Sequence, residues 1–88
     1  MKLEDLPEMK NGDIIKLKIQ EPWAPKPKST VAYFQDKETI NGEDIIHVAR
    51  YYEGDSPIGI ESFYLQNIKE LELASNGYQK IRNWGIPK

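Results

Sequence analysis

The chain is expected to be a small all-β protein, an antiparallel sheet of five to six short strands, and two observations carry that expectation. Three Asn-Gly dipeptides punctuate it, at Asn11-Gly12, Asn41-Gly42 and Asn76-Gly77. Asn-Gly tolerates the successive positive φ angles of a type I′ turn, which makes it the strongest short-range hairpin signal between apolar runs. The segments between the dipeptides carry the two-residue alternation of strands with one buried face.

Leu3 to Met9 contains Pro7 and is too short for a stable isolated helix. It is expected to form a helical or 3₁₀ turn whose Leu3, Leu6 and Met9 cover an open end of the sheet. Asp13 to Gln20 is the clearest strand, with Ile15, Leu17 and Ile19 alternating with Lys16 and Lys18. Residues 21–28, with Pro22, Pro25 and Pro27, lose ladder donors and lean toward polyproline II, so they form a semi-rigid loop. Thr30 to Gln35 resumes as a strand, and Asn41-Gly42 reverses it into Asp44 to Tyr52. If those two residues are the turn centre, Phe34 faces Ala49, Tyr33 faces Arg50 and Asp36 faces His47. A bulge would shift these pairs by one. After a polar turn at Glu53 to Pro57, Ile58 to Leu65 makes a fourth strand in which Gly59 permits a bend. Gln66-Asn67-Ile68 is expected as a one-turn 3₁₀ step, and Lys69 to Ala74 as a short fifth strand. Asn76-Gly77 either turns the chain into a sixth pairing at Tyr78 to Arg82 or releases it into a C-terminal extension, residues 75–88.

In element order and length, residues 10–74 resemble the SH3-like small barrel: five short strands, a long loop after the first, a 3₁₀ step before the last. The resemblance implies a barrel filled by its own side chains, so that ligands meet loops or an outer face. Eighty-eight residues are expected to make a single domain; a chain this short buries only about 60–65% of its unfolded surface. The sequence has no cysteine, which excludes disulfides and thiolate metal sites. No segment approaches the roughly 20 continuous apolar residues of a membrane-spanning helix, and the N-terminus lacks the apolar stretch of a secretory signal. A cytoplasmic location without membrane association is the expectation.

The net charge of −2 is unevenly distributed. Residues 36–61 hold seven acids (Asp36, Glu38, Glu43, Asp44, Glu53, Asp55 and Glu61) against Lys37 and Arg50. Residues 76–88 hold Lys80, Arg82 and Lys88 with no acid. If the fold keeps these regions apart, the surface is polarised. Trp23, held between prolines and followed by Lys26 and Lys28, suits an interface anchor because it loses little conformational entropy on binding. The alternative is that Trp23 folds back onto the barrel mouth. Trp84, beside Arg82, is open in the same way: it contacts a partner or packs on the core. One of Tyr51 and Tyr52 faces outward, and Tyr52 is counted among the partner-binding candidates. His47 is the one ordinary acid–base group near neutral pH, and no Ser, Cys or second His stands in a recognisable sequence partnership with it. The acids around Asn41-Gly42 lack the spacing of a calcium loop. No catalytic residue, metal site or cofactor is expected.

The function class that follows is a non-enzymatic binding module, working alone as an adaptor, regulator or inhibitor of a larger protein. In size and acidity it is similar to phage and mobile-element proteins that block host factors. The acidic stretch would then meet a basic surface of the target. The alternative is single-stranded nucleic-acid binding through Lys16, Lys18, Trp23, Lys26, Lys28, Arg82 and Trp84, since aromatics interleaved with cations stack on bases and neutralise phosphates. A monomer or an edge-strand homodimer is compatible with either.

Overall fold

At the middle turn the chain behaves as its dipeptide dictates: Asn41 and Gly42 adopt φ of 52° and 80°, the two successive positive angles of a type I′ hairpin. The computed structural model describes residues 1–75. After a 3₁₀ turn at Leu3–Asp5, it contains β1 (Ile14–Ile19), β2 (Lys28–Ile40), β3 (Glu43–Glu53), β4 (Ser56–Tyr64), a second 3₁₀ turn at Leu65–Asn67 and β5 (Ile68–Ser75). All pairings are antiparallel, and the strand order is β4-β3-β2-β1-β5. Among the described residues the sheet has two edges, β4 and β5, and is not closed. The all-β antiparallel expectation therefore holds, while a closed barrel is not formed by the described residues: β5 pairs with β1 and, among them, no ladder joins it to β4. A sixth pairing at Tyr78 to Arg82, and the extension that holds Arg82 and Trp84, lie outside the described residues.

The register between β2 and β3 follows the expected turn centre from Ile40↔Glu43 to Asp36↔His47 and then slips by one. Phe34 faces Val48 and Tyr33 faces Ala49, because Gln35 is an extra residue on β2. A bulge of this kind bends the strand and raises its twist. A second irregularity flanks Phe34 from the other side. Gly12 N donates to Phe34 O at 2.7 Å, and Phe34 N donates to Asp13 O at 2.8 Å, so two residues oppose one. Gly12 sits at φ 94°, the left-handed residue of a glycine bulge. The carboxylate of buried Asp13 accepts from Lys10 N at 2.9 Å and ties down this corner.

β2 is longer than its sequence suggests. Lys28 and Ser29 join it opposite Ile19 and Lys18 of β1, and residues 36–40 extend it into the β2–β3 hairpin. Their charged and polar side chains do not interrupt the ladder because they are exposed there. Pro57 lies in β4, an edge strand, where its missing N–H costs no central pairing. Gly54 alone has positive φ in the β3–β4 turn, the pattern of a type II′ hairpin. The 3₁₀ step falls one residue earlier than its sequence suggests, which buries Leu65 beside Ile68.

Alternation sends Ile15, Leu17 and Ile19 of β1, Ala32 and Phe34 of β2, and Ile46 and Val48 of β3 into one core with Leu65 and Ile68. Leu3, Leu6 and Met9 pack against it, as does Phe63. The N-terminal segment thus covers the open side of the curled sheet. Ile46→Ala is expected to lower the unfolding free energy by about 2–5 kcal/mol, the range for deleting a fully buried aliphatic side chain. Ile60→Ala, at a half-exposed position, should cost about 1 kcal/mol or less. Urea denaturation of the two variants checks this, and equal losses would contradict the assigned core.

Candidate functional site

Three features of the surface combine chemistry with position. The first is the loop between β1 and β2. Its base is fixed by Gln20: the backbone N–H donates to Asn67 O at 2.7 Å, and Nε2 donates to Ala24 O at 2.8 Å and Glu21 O at 3.2 Å. Ala24 N closes a turn onto Glu21 O at 3.0 Å. Pro22 and Pro25 bracket Trp23, and their rings lock φ on either side. On this braced turn Trp23 is 78% exposed, so it does not fold back onto the sheet among the described residues. Lys26 and Lys28 are exposed next to it.

The second is a polar set on the β2–β3–β4 surface. His47 Nδ1 lies 2.7 Å from Ser62 Oγ, and Nε2 lies 2.6 Å from Glu38 Oε1. A carboxylate only accepts, so Nε2 carries the hydrogen toward Glu38. In the neutral ring Nδ1 then accepts from the Ser62 hydroxyl. Asp36 faces His47 across the ladder as expected, but the ring turns to Glu38, one alternation further along the same face, and Asp36 Oδ1 instead accepts from Lys37 N. Ser62 is the partner that sequence spacing hides. It lies opposite His47 on β4, a relation visible only once the Gly54-Asp55 turn fixes the second hairpin's register. Hydroxyl, imidazole and carboxylate lie in the order of a hydrolytic triad, with the two ring nitrogens exchanged relative to the serine-protease arrangement. The residues sit on an open sheet surface. A groove of about 670 Å³ is lined elsewhere, by Met1, Lys16, Lys18, Val31, Glu70 and Glu72 among others. A smaller one, of about 270 Å³, is lined by Met1, Glu43, Asp44 and Tyr64 with their neighbours. Neither includes His47, Ser62 or Glu38. No cluster of three or more His, Asp or Glu side chains suited to a metal ion occurs among the described residues.

The third is the charge pattern. Lys16 and Lys18 stand opposite Glu72 and Glu70 on β5, with ion-pair distances of 3.8 and 3.5 Å. Lys16, Glu70 and Glu72 are exposed and Lys18 is only partly buried, so the pairs add little stability, yet they neutralise the two strand lysines of the basic aromatic face. The acidic residues divide between the two ends of β3. Asp36, Glu38, Glu43 and Asp44 belong to the β2–β3 hairpin, and Glu53 and Asp55 to the β3–β4 turn, about 33 Å away along an extended strand. Arg50 is bound by Glu61 through two contacts at 3.1 and 2.8 Å.

Tyr52 and Tyr51 have different surroundings. The Tyr52 hydroxyl accepts from Gln35 Nε2 at 2.9 Å and donates to Asn11 Oδ1 at 3.3 Å, and its ring meets Tyr33 edge-on at 5.1 Å. Tyr51 is 52% exposed and is the tyrosine of that pair open to a partner. Arg82 and Trp84 lie outside the described residues. No protein-family model, no curated protein and no solved structure matches the chain.

Tyr52→Phe is expected to lower stability by about 0.5–1.5 kcal/mol through the lost hydroxyl bonds. Trp23→Ala should leave the thermal midpoint within about 3 °C, the shift set by roughly 0.5 kcal/mol at a surface position. Scanning calorimetry of both variants separates them. A Trp23→Ala midpoint that falls further than that of Tyr52→Phe would mean the indole is packed.

Proposed function

We propose that the chain is a non-enzymatic protein-binding module, an adaptor, regulator or inhibitor of a larger partner, which it engages through Trp23. The observation that carries this reading is a large indole exposed on a turn braced by Gln20 and bracketed by two prolines. An isolated exposed Trp is costly in water, and a rigid one forfeits little entropy when a partner pocket encloses it. Lys26 and Lys28 beside it favour a pocket with an acidic rim. The scaffold is proposed to be an unclosed SH3-like sheet, supported by the long loop after β1, the 3₁₀ step before β5 and the five-strand order.

Binding is favoured over catalysis because general acid–base work needs a substrate held against the imidazole, and neither groove involves His47. Binding of single-stranded nucleic acid is the weaker reading: Lys16 and Lys18 already meet carboxylates, and across residues 1–75 acids outnumber Lys and Arg by fourteen to nine.

Affinity capture from native lysate with the full chain, followed by measurement of the retained partner's Kd, tests the reading. Trp23→Ala is expected to weaken that Kd by about 30-fold or more, the effect of losing an interface hot spot, while His47→Ala leaves it unchanged. Undiminished affinity of Trp23→Ala overturns the assignment. Oligonucleotide binding that weakens steeply with salt would favour the nucleic-acid reading.

A further inference from the structure

The outer face of β2, β3 and β4 has a composition that the Trp23 loop does not explain. The ladders set Tyr33, Ala49 and Ile60 side by side across three strands, with Tyr51↔Ile58 in the next row. On the other side of the His47 row, Ile45 pairs with Tyr64. Of these, Ile60 is 53% exposed, Tyr51 52% and Tyr64 44%. Ala49 is fully buried within this row and the Tyr33 ring packs edge-on against Tyr52. The apolar surface that faces outward therefore comes from Ile60, Tyr51 and Tyr64, on strands whose alternate residues, Ile46, Val48 and Phe63, pack in or against the core.

Acids border this surface. Asp36, Glu38 and Glu43 occupy the same face of the β2–β3 hairpin, and Glu53 stands at the far end of β3. Lys37 and Arg50 fall on the alternate positions, and Arg50 is bound to Glu61. From residue 36 to residue 64, the described positions of this face contain no Lys or Arg, and its single basic side chain, His47, is already engaged by Glu38. A second copy of the chain would set acid against acid. A partner that offers apolar side chains together with Lys or Arg would complement both the shape and the charge.

We infer that the outer β2–β3–β4 face is a second docking surface, separate from the Trp23 loop, whose occupant is a basic segment of a partner protein that alternates apolar and cationic side chains. The aromatic and aliphatic residues supply the buried centre and the acids form the rim. The rim sets orientation and encounter rate, and the centre sets the lifetime of the complex.

The test uses the full chain and a synthetic peptide of alternating Lys and Leu, with Glu-Leu and Lys-Ser peptides as controls, by titration calorimetry and amide shift mapping. The Lys-Leu peptide is expected to bind, to shift amides of β3 and β4, and to weaken with salt; neither control should match it. Ile60→Ser with Tyr51→Ser should weaken binding at least tenfold. So should Asp36→Asn, Glu38→Gln and Glu43→Gln together, while Trp23→Ala has no effect. Several results would overturn the inference. They are no binding of Lys-Leu, equal binding of Lys-Ser, affinity unchanged in both face variants, and a homodimer in sedimentation that Ile60→Ser dissociates. Tighter peptide binding by Lys80→Glu with Arg82→Glu would also overturn it, because the chain's own basic residues would then be the occupant.

Discussion

Phe34 is the point on which the sheet turns. Its N–H and carbonyl are both committed to the β1 side, to Asp13 and Gly12, while one residue later the ladder to β3 slips around Gln35. Bulges flank it on both sides, and each adds local bend and twist. β2 therefore serves two directions: residues 28–33 run with β1, and the strand from Tyr33 onward runs with β3. With Phe34 itself buried, the curl brings β1 aliphatic residues against Ile46 and Val48 and creates a core from a single sheet. A flat sheet of the same sequence would leave one full apolar face in water, where each aliphatic side chain forgoes about 1.5–3 kcal/mol of burial.

That geometry also decides what remains outside. The curl buries one face of β1 and of the middle of β2 and β3, with Phe63 of β4 and Ile68 and Leu71 of β5 packed at its margins. The N-terminal 3₁₀ segment covers the open side through Leu3, Leu6 and Met9. Chemistry is left to the β1–β2 loop, the outer face and the strand edges. Among the described residues the two edges differ in kind. β4 carries Pro57 and a glycine at φ 70°, where a Cβ would approach the Arg50 side chain to 3.1 Å, so a further strand meets an irregular partner. β5 alternates Leu71 and Leu73 with Glu70 and Glu72, and symmetric self-pairing would oppose glutamates, which discourages edge-to-edge association.

Most of this architecture was legible in the residues. The Asn41-Gly42 turn, the alternation in β1 and β5, and the role of Leu3, Leu6 and Met9 follow from local chemistry alone. The bulge did not, because Gln35 is unremarkable as a strand residue and its side chain, besides bonding the neighbouring carbonyls of Tyr33 and Phe34, is engaged by Asn11, 24 positions away, and by Tyr52. Closure of the barrel also exceeded what strand order and length determine; whether β4 and β5 meet depends on total curl, a sum of small twists. The meeting of Glu38, His47 and Ser62 required the register of two consecutive hairpins, each anchored by its own turn. Of the two tyrosines at 51 and 52, alternation requires one to face outward but does not say which. The network around Gln35 engages Tyr52 and leaves Tyr51 to the surface.

Native-state amide exchange addresses the Phe34 junction most directly. If the doubly bulged corner holds the two halves of the sheet together, the amides of Phe34 and Gly12 exchange only through global unfolding, with the same free energy as Ile46 and Val48. Exchange of those two amides at the rate of the β3–β4 turn, while the β3 core stays protected, would mean the halves are held by side-chain packing alone and would contradict the account.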